Sequence, residues 1–138
     1  MKLENNWRYK TLENLEKRNI DKQTYGSHLV KRCFELYKIP LDEFTIEDVR
    51  IMIGQQIGLD YLIPLAIDAL KLDLFAEGDY LEGDLLKSVL SVDTDFWNNN
   101  KEYWQTLNEL IKDRRDEIKK AKFETIKFDN SKNKNGSS

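Results

Sequence analysis

Apolar residues recur along this chain at spacings of three and four, the period of a helix that buries one face. No long stretch alternates apolar and polar residues with β-branched enrichment. The pattern predicts an all-α protein. A first helix is expected over about residues 8 to 19, with Leu12 and Leu15 on one face, broken by "IDKQTYG" at 20–26. A second is expected over about 27–38, with Leu29, Val30, Cys33, Phe34 and Tyr37 inward. Pro40 stops it, because the residue before a proline is pushed out of helical geometry.

Thr45 opens the most regular stretch. Asp48 stands three residues on, the spacing of a capping box. Ile46, Val49, Met52, Ile53 and Ile57 then form one stripe, with Gly58 as the helix end beyond it. Asp60 is expected to cap the next helix, which places Pro64 in its first turn. That helix is apolar on nearly every side from Tyr61 to Leu70, so it belongs at the centre of a bundle. "DLFAEGDYLEGD", residues 73–84, reads as a compact loop. Asp84 is expected to cap a short helix carrying Leu85, Leu86, Val89 and Leu90, and Asp93 a turn presenting Phe96 and Trp97. The last helix is expected from about 100 to 122, with Trp104, Leu107, Leu110, Ile111 and Ile118 inward. "FETIKF", residues 123–128, reads as a short strand or an extended segment, and "DNSKNKNGSS", residues 129–138, as a disordered end.

At 138 residues, with no repeat and no linker composition, the chain is expected to form a single-domain compact bundle of about five to seven helices over residues 1–128. Asp60 and Asp68 interrupt the longest apolar run, which falls short of the roughly 20 residues needed to cross a bilayer. "MKLENNWRYK" has no secretory apolar region, so a cytoplasmic location is expected.

Charge changes the picture through its distribution. Residues 41–95 hold thirteen acids against Arg50, Lys71 and Lys87, while the rest of the chain is net basic. An acidic middle repels phosphate, which argues against direct nucleic-acid binding and for a cationic protein partner.

Catalytic candidates are few. His28 is the lone histidine, and Cys33 lies five residues on, about 140° away around a helix, which is no nucleophile and base pair. Cys33, alone and among apolar neighbours, reads as a buried small hydrophobe. "GQQIG" lacks the lysine of a phosphate loop. Gly54 is expected to serve close helix packing, and an inward Gln55 or Gln56 amide to clamp a loop carbonyl. "EGDYLEGD" has carboxylates suited to hard cations but not the spacing of an EF-hand, so no metal or cofactor is assigned. A carboxylate-using, metal-dependent hydrolase built on residues 73–95 is the rival to a binding module.

The segments "TIEDVRIMIGQQIGLDYLIPLAIDAL", "AEGDYLEGDLLKSVL" and "DFWNNN", in that order, resemble the immunity proteins of bacterial contact-dependent growth inhibition (CDI) systems. The resemblance extends over roughly residues 25 to 107. It departs at Leu81 and Glu82, where the family pattern tends to carry tyrosine and proline, which leaves the loop open between a packing turn and a specificity surface. It implies a small helical, non-enzymatic cytoplasmic protein that binds the C-terminal toxin domain of a cognate effector, often a nuclease. The residues of this chain expected to face a basic surface of that toxin are Asp73, Glu77, Asp79, Tyr80, Glu82 and Asp95.

Overall fold

The structure is a computed structural model that describes residues 3, 5–17 and 27–136. The helix expected over 8–19 is cut short: only Leu12–Leu15 is α-helical, Glu16 is its C-cap and Lys17 is left-handed (φ 54°), while residues 18 and 19 and the break at 20–26 lie outside the described residues. The described part is all-α, as the periodicity predicts. After a 3-10 turn at Trp7–Tyr9 come α1 (Leu12–Leu15), α2 (His28–Leu36), a second 3-10 turn at Leu41–Glu43, α3 (Ile46–Gly54) and α4 (Leu59–Leu72). The remainder is α5 (Asp84–Leu90), α6 (Thr94–Asn99), α7 (Lys101–Ile111), α8 (Arg115–Lys120) and α9 (Ile126–Gly136).

α3 and α4 form the centre. α3 packs against α2, α4 and α5, and α4 also meets α5 and α7. Leu62, Ile63, Ala66, Ile67 and Leu70 of α4 are buried, with Met52 and Ile53 of α3 and all four expected apolar residues of α5. Ser27 caps α2, its hydroxyl accepting the Val30 N–H at 3.2 Å. The buried face of α2 is Cys33, Leu36 and Tyr37, whereas Leu29 and Val30, expected inward, are exposed.

α3 begins with the capping box: the Thr45 hydroxyl accepts the Asp48 N–H and the Asp48 carboxylate accepts the Thr45 N–H, both at 3.1 Å. It ends sooner than the apolar stripe predicts. Gln56 adopts a left-handed backbone (φ 59°), with its N–H on the Ile53 carbonyl and the Ile57 N–H on that of Met52, both at 2.9 Å. This is a Schellman ending with glutamine in the usual glycine place. The side chain compensates, since Gln56 Oε1 accepts the Asp93 N–H at 3.3 Å and Nε2 reaches the Ser91 carbonyl at 3.5 Å. Ile57 therefore packs on the core from beyond the helix. A Cβ on Gly54 would meet only ordinary contact at 3.9 Å, so close packing does not demand that glycine.

Gly58, with φ 64°, is the N-cap of α4, displacing Asp60 from that role. Pro64 is consequently the sixth helical residue rather than one of the first turn, and the Asp60 carbonyl loses its usual i+4 donor. Asp93 stands at the N-cap of α6 without a side-chain capping bond and pairs instead with Lys127 at 3.2 Å.

The expected last helix is broken between α7 and α8. Positions 114 and 115, which should continue the stripe from Ile111 toward Ile118, are both arginine, so nothing apolar holds that turn to the core. Of the strand or extended segment expected at 123–128, residues 123–125 form neither strand nor helix and 126–128 open α9, which packs against α6. Phe128 is fully buried, edge-on to Trp97 (ring centres 5.2 Å apart) and stacked on Trp104 (5.0 Å), whose indole N–H donates to the Phe128 carbonyl at 2.9 Å. The helix continues past residue 128: Asp129 pairs with Arg115 through two bonds of 2.9 and 3.1 Å, and Ser131 is buried. Residues 129–138 are expected to be a disordered end from their polar composition, but the polar groups of Asp129 and Ser131 are held by the fold.

Candidate functional site

The loop joining α4 to α5 exposes Glu77, Asp79 and Glu82, and its shape is imposed from below. Glu47 and Arg50 stand one turn apart on α3, so both reach the same side of that helix. Arg50 grips the Glu47 carboxylate with two hydrogen bonds, Nε at 2.6 Å and one terminal nitrogen at 2.5 Å. Its Nε is also 3.7 Å from the Asp84 carboxylate. Asp84 is the first residue of α5, and its side chain is only 4% exposed.

Asp84 does not cap its own helix. Its carboxylate turns back and accepts the N–H groups of Gly78 (2.6 Å), Tyr80 (3.1 Å) and Leu81 (3.3 Å). The Asp79 N–H donates to Glu47 at 2.9 Å. Four consecutive backbone amides thus converge on two carboxylates supplied by neighbouring helices. The arrangement resembles an anion-binding nest already filled by the protein's own acids.

Two glycines make it possible. A Cβ at Gly78 would lie 2.5 Å from Glu47 Oε1 and 3.2 Å from both oxygens of Asp84, so the backbone approaches as closely as it does only because a side chain is missing. Gly83, the N-cap of α5, has φ 83° and would collide with the Phe75 ring at 2.7 Å.

Arg50 and the Asp79 amide hold the Glu47 carboxyl below its usual range, with the Arg50 hydrogen bond the largest cause and burial acting against it. Arg50 is in turn raised, chiefly by its bond to Glu47. Both charges are therefore fixed, and neither group is poised for proton transfer near neutral pH. Among the described residues, no group of three or more His, Cys, Asp or Glu is placed to hold a metal ion. Burial raises the Cys33 thiol, the direction opposite to an activated nucleophile.

Beside the loop, an open cleft of about 540 Å³ runs along α3, floored by Ile46 and Ile51 and walled by Glu47, Asp48, Glu77 and Asp79. Arg32 at its edge pairs with Asp48 at 3.0 Å. Acidic groups dominate this lining.

Glu77, Asp79, Tyr80 and Glu82 all lie on the one loop and are exposed. Tyr80 is 75% exposed, with its ring face over the Arg50 guanidinium, 4.6 Å from the ring centre. Asp73 is exposed where α4 ends, and its carboxylate accepts the Phe75 N–H at 3.1 Å, closing a short turn at the loop's entrance. Asp95 is exposed but stands in the first turn of α6, an element that packs against α7 and α9, and the loop's network does not include it.

Glu47, Arg50 and Asp84 were not legible as a set. Their signal was the isolation of Arg50, the sole base between residues 41 and 70, three residues from a glutamate. None of the helices described is long and apolar enough to cross a membrane.

A family model described as CDI immunity proteins matches residues 14–107, more than half of the chain, a span that includes α2 to α6 and the whole of the acidic loop. No curated protein and no solved structure matches the chain. With the all-α fold and the match extending over its central helices, the chain belongs to the family of CDI immunity proteins.

Proposed function

We propose that this protein neutralises the C-terminal toxin domain of a cognate CDI effector by binding it in the cytoplasm, and that it does so as a binding module rather than an enzyme. The acidic loop and its neighbouring cleft face a basic toxin surface and occlude the active or substrate-binding region. A toxin that acts on nucleic acid needs such a surface to hold phosphate, so an acidic inhibitor suits a nuclease. The observation that carries the reading is the contrast at one loop. The carboxylates of Glu47 and Asp84, supplied by the helices beside it, are occupied with its backbone amides and Arg50, while its own Glu77, Asp79 and Glu82 project into solvent. The first set fixes the shape and the second sets the field.

Association kinetics with the purified toxin domain, measured at two ionic strengths, test this. Binding should slow as salt rises, since screening shortens the field to about 10 Å at 0.1 M. Replacing Glu77, Asp79 and Glu82 together by lysine should slow association further without moving the melting temperature. Salt-independent association, or unchanged kinetics in a folded triple variant, would place the interface elsewhere.

A further inference from the structure

The same loop carries apolar side chains that no packing requirement explains. Tyr80 is 75% exposed and its neighbour Leu81 41%. Single exposed apolar residues are ordinary on protein surfaces. What separates this pair is that their backbone is immobilised: both amides are bound to Asp84, itself almost wholly buried. Turning the backbone so that either side chain folds inward would break its amide's bond to that buried carboxylate, a costly exchange. The Tyr80 ring is also fixed in direction, with one face on the Arg50 guanidinium.

An aromatic ring held rigidly in water meets the requirements of an interface anchor. It offers large contact area, and the entropy of ordering it has already been lost on folding. We infer that Tyr80 and Leu81 form the apolar tip of a preformed hook. The toxin surface that accepts the tip is an apolar recess rimmed by lysine or arginine, complementary to Glu77, Asp79 and Glu82 around it. This rests on the reading of the chain as a toxin binder and adds to it the shape and chemistry of the contact. Arg50 is a positioning residue: it acts on the partner through the orientation of Tyr80.

The test is binding of the purified toxin domain to the full chain and to Tyr80→Ala, Tyr80→Phe, Arg50→Lys and the Tyr80→Ala/Arg50→Lys double variant, with a melting curve for each. Tyr80→Ala should dissociate about tenfold faster or more, as truncation of a central anchor does, with its melting temperature unchanged. Tyr80→Phe, which keeps the ring, should stay within about twofold of wild type. Arg50→Lys keeps the charge but lacks the planar fork, so it should weaken binding, yet add nothing in the Tyr80→Ala background. Additive losses would overturn the positioning role. If the wild type binds and Tyr80→Ala binds equally well, the hook is wrong and toxin binding stands. If the wild type does not bind, the functional reading itself fails. Concentration-dependent self-association of the free chain, abolished by Tyr80→Ala, would assign the tip to a second copy and overturn the toxin recess.

Discussion

The Asp84 carboxylate accepts the Gly78 amide at 2.6 Å, across six residues of chain, and so ties the start of α5 to the middle of the loop before it. A residue expected to cap the helix that follows it instead organises the segment that precedes it.

Asp84→Ala should therefore destabilise the protein by on the order of 3 kcal/mol, the range for removing one member of a buried charged network. Gly78→Ala should also destabilise it, because the new methyl meets two carboxylates and neither is the free end of a mobile chain. Chemical denaturation of both variants checks this. Near-native stability in Asp84→Ala would mean that its amide bonds contribute little.

Acid should loosen the loop through Glu47. Its carboxyl is held below the usual value of 4.5 in the folded protein, foremost by the hydrogen bond from Arg50. A depressed acid contributes stability that is fully present above its unfolded value and lost as pH falls through the folded one. The melting temperature of wild type should thus fall more steeply below pH 4.5 than that of Glu47→Gln, and the two curves should run parallel above it. Parallel curves throughout the acid range would contradict the assignment.

Phe128→Ala should cost about 3–5 kcal/mol, the usual cost of removing a buried phenyl ring, because the side chain is fully buried against both Trp97 and Trp104. Tryptophan fluorescence should shift at the same time, since both indoles lose their neighbour. A small loss would show that α9 is dispensable to the core.

Helical period gave the fold class, and local chemistry gave several of the joints. Thr45 and Asp48 announced their capping box by spacing alone, and Leu85, Leu86, Val89 and Leu90 announced the buried face of α5. Failures arose where a distant partner outranked the local preference. Gln56 takes a left-handed turn with its amide bonded to residues 91 and 93, and Asp129 looks solvated until Arg115 meets it. The site divides the same way. Acidity marked the exposed rim of the loop, because side chains aimed at water follow composition. The Glu47, Arg50 and Asp84 hub depends on α3 and α5 lying side by side, a tertiary relationship with no local periodicity.

Growth of cells in which the toxin domain is induced, with and without this protein, tests the central claim most directly. Wild-type protein should restore growth, and the lysine triple variant at Glu77, Asp79 and Glu82 should fail to do so while melting at the wild-type temperature. Growth arrest despite abundant folded wild-type protein would contradict the neutralising role. Full protection by the folded triple variant would contradict the acidic loop as the surface that performs it.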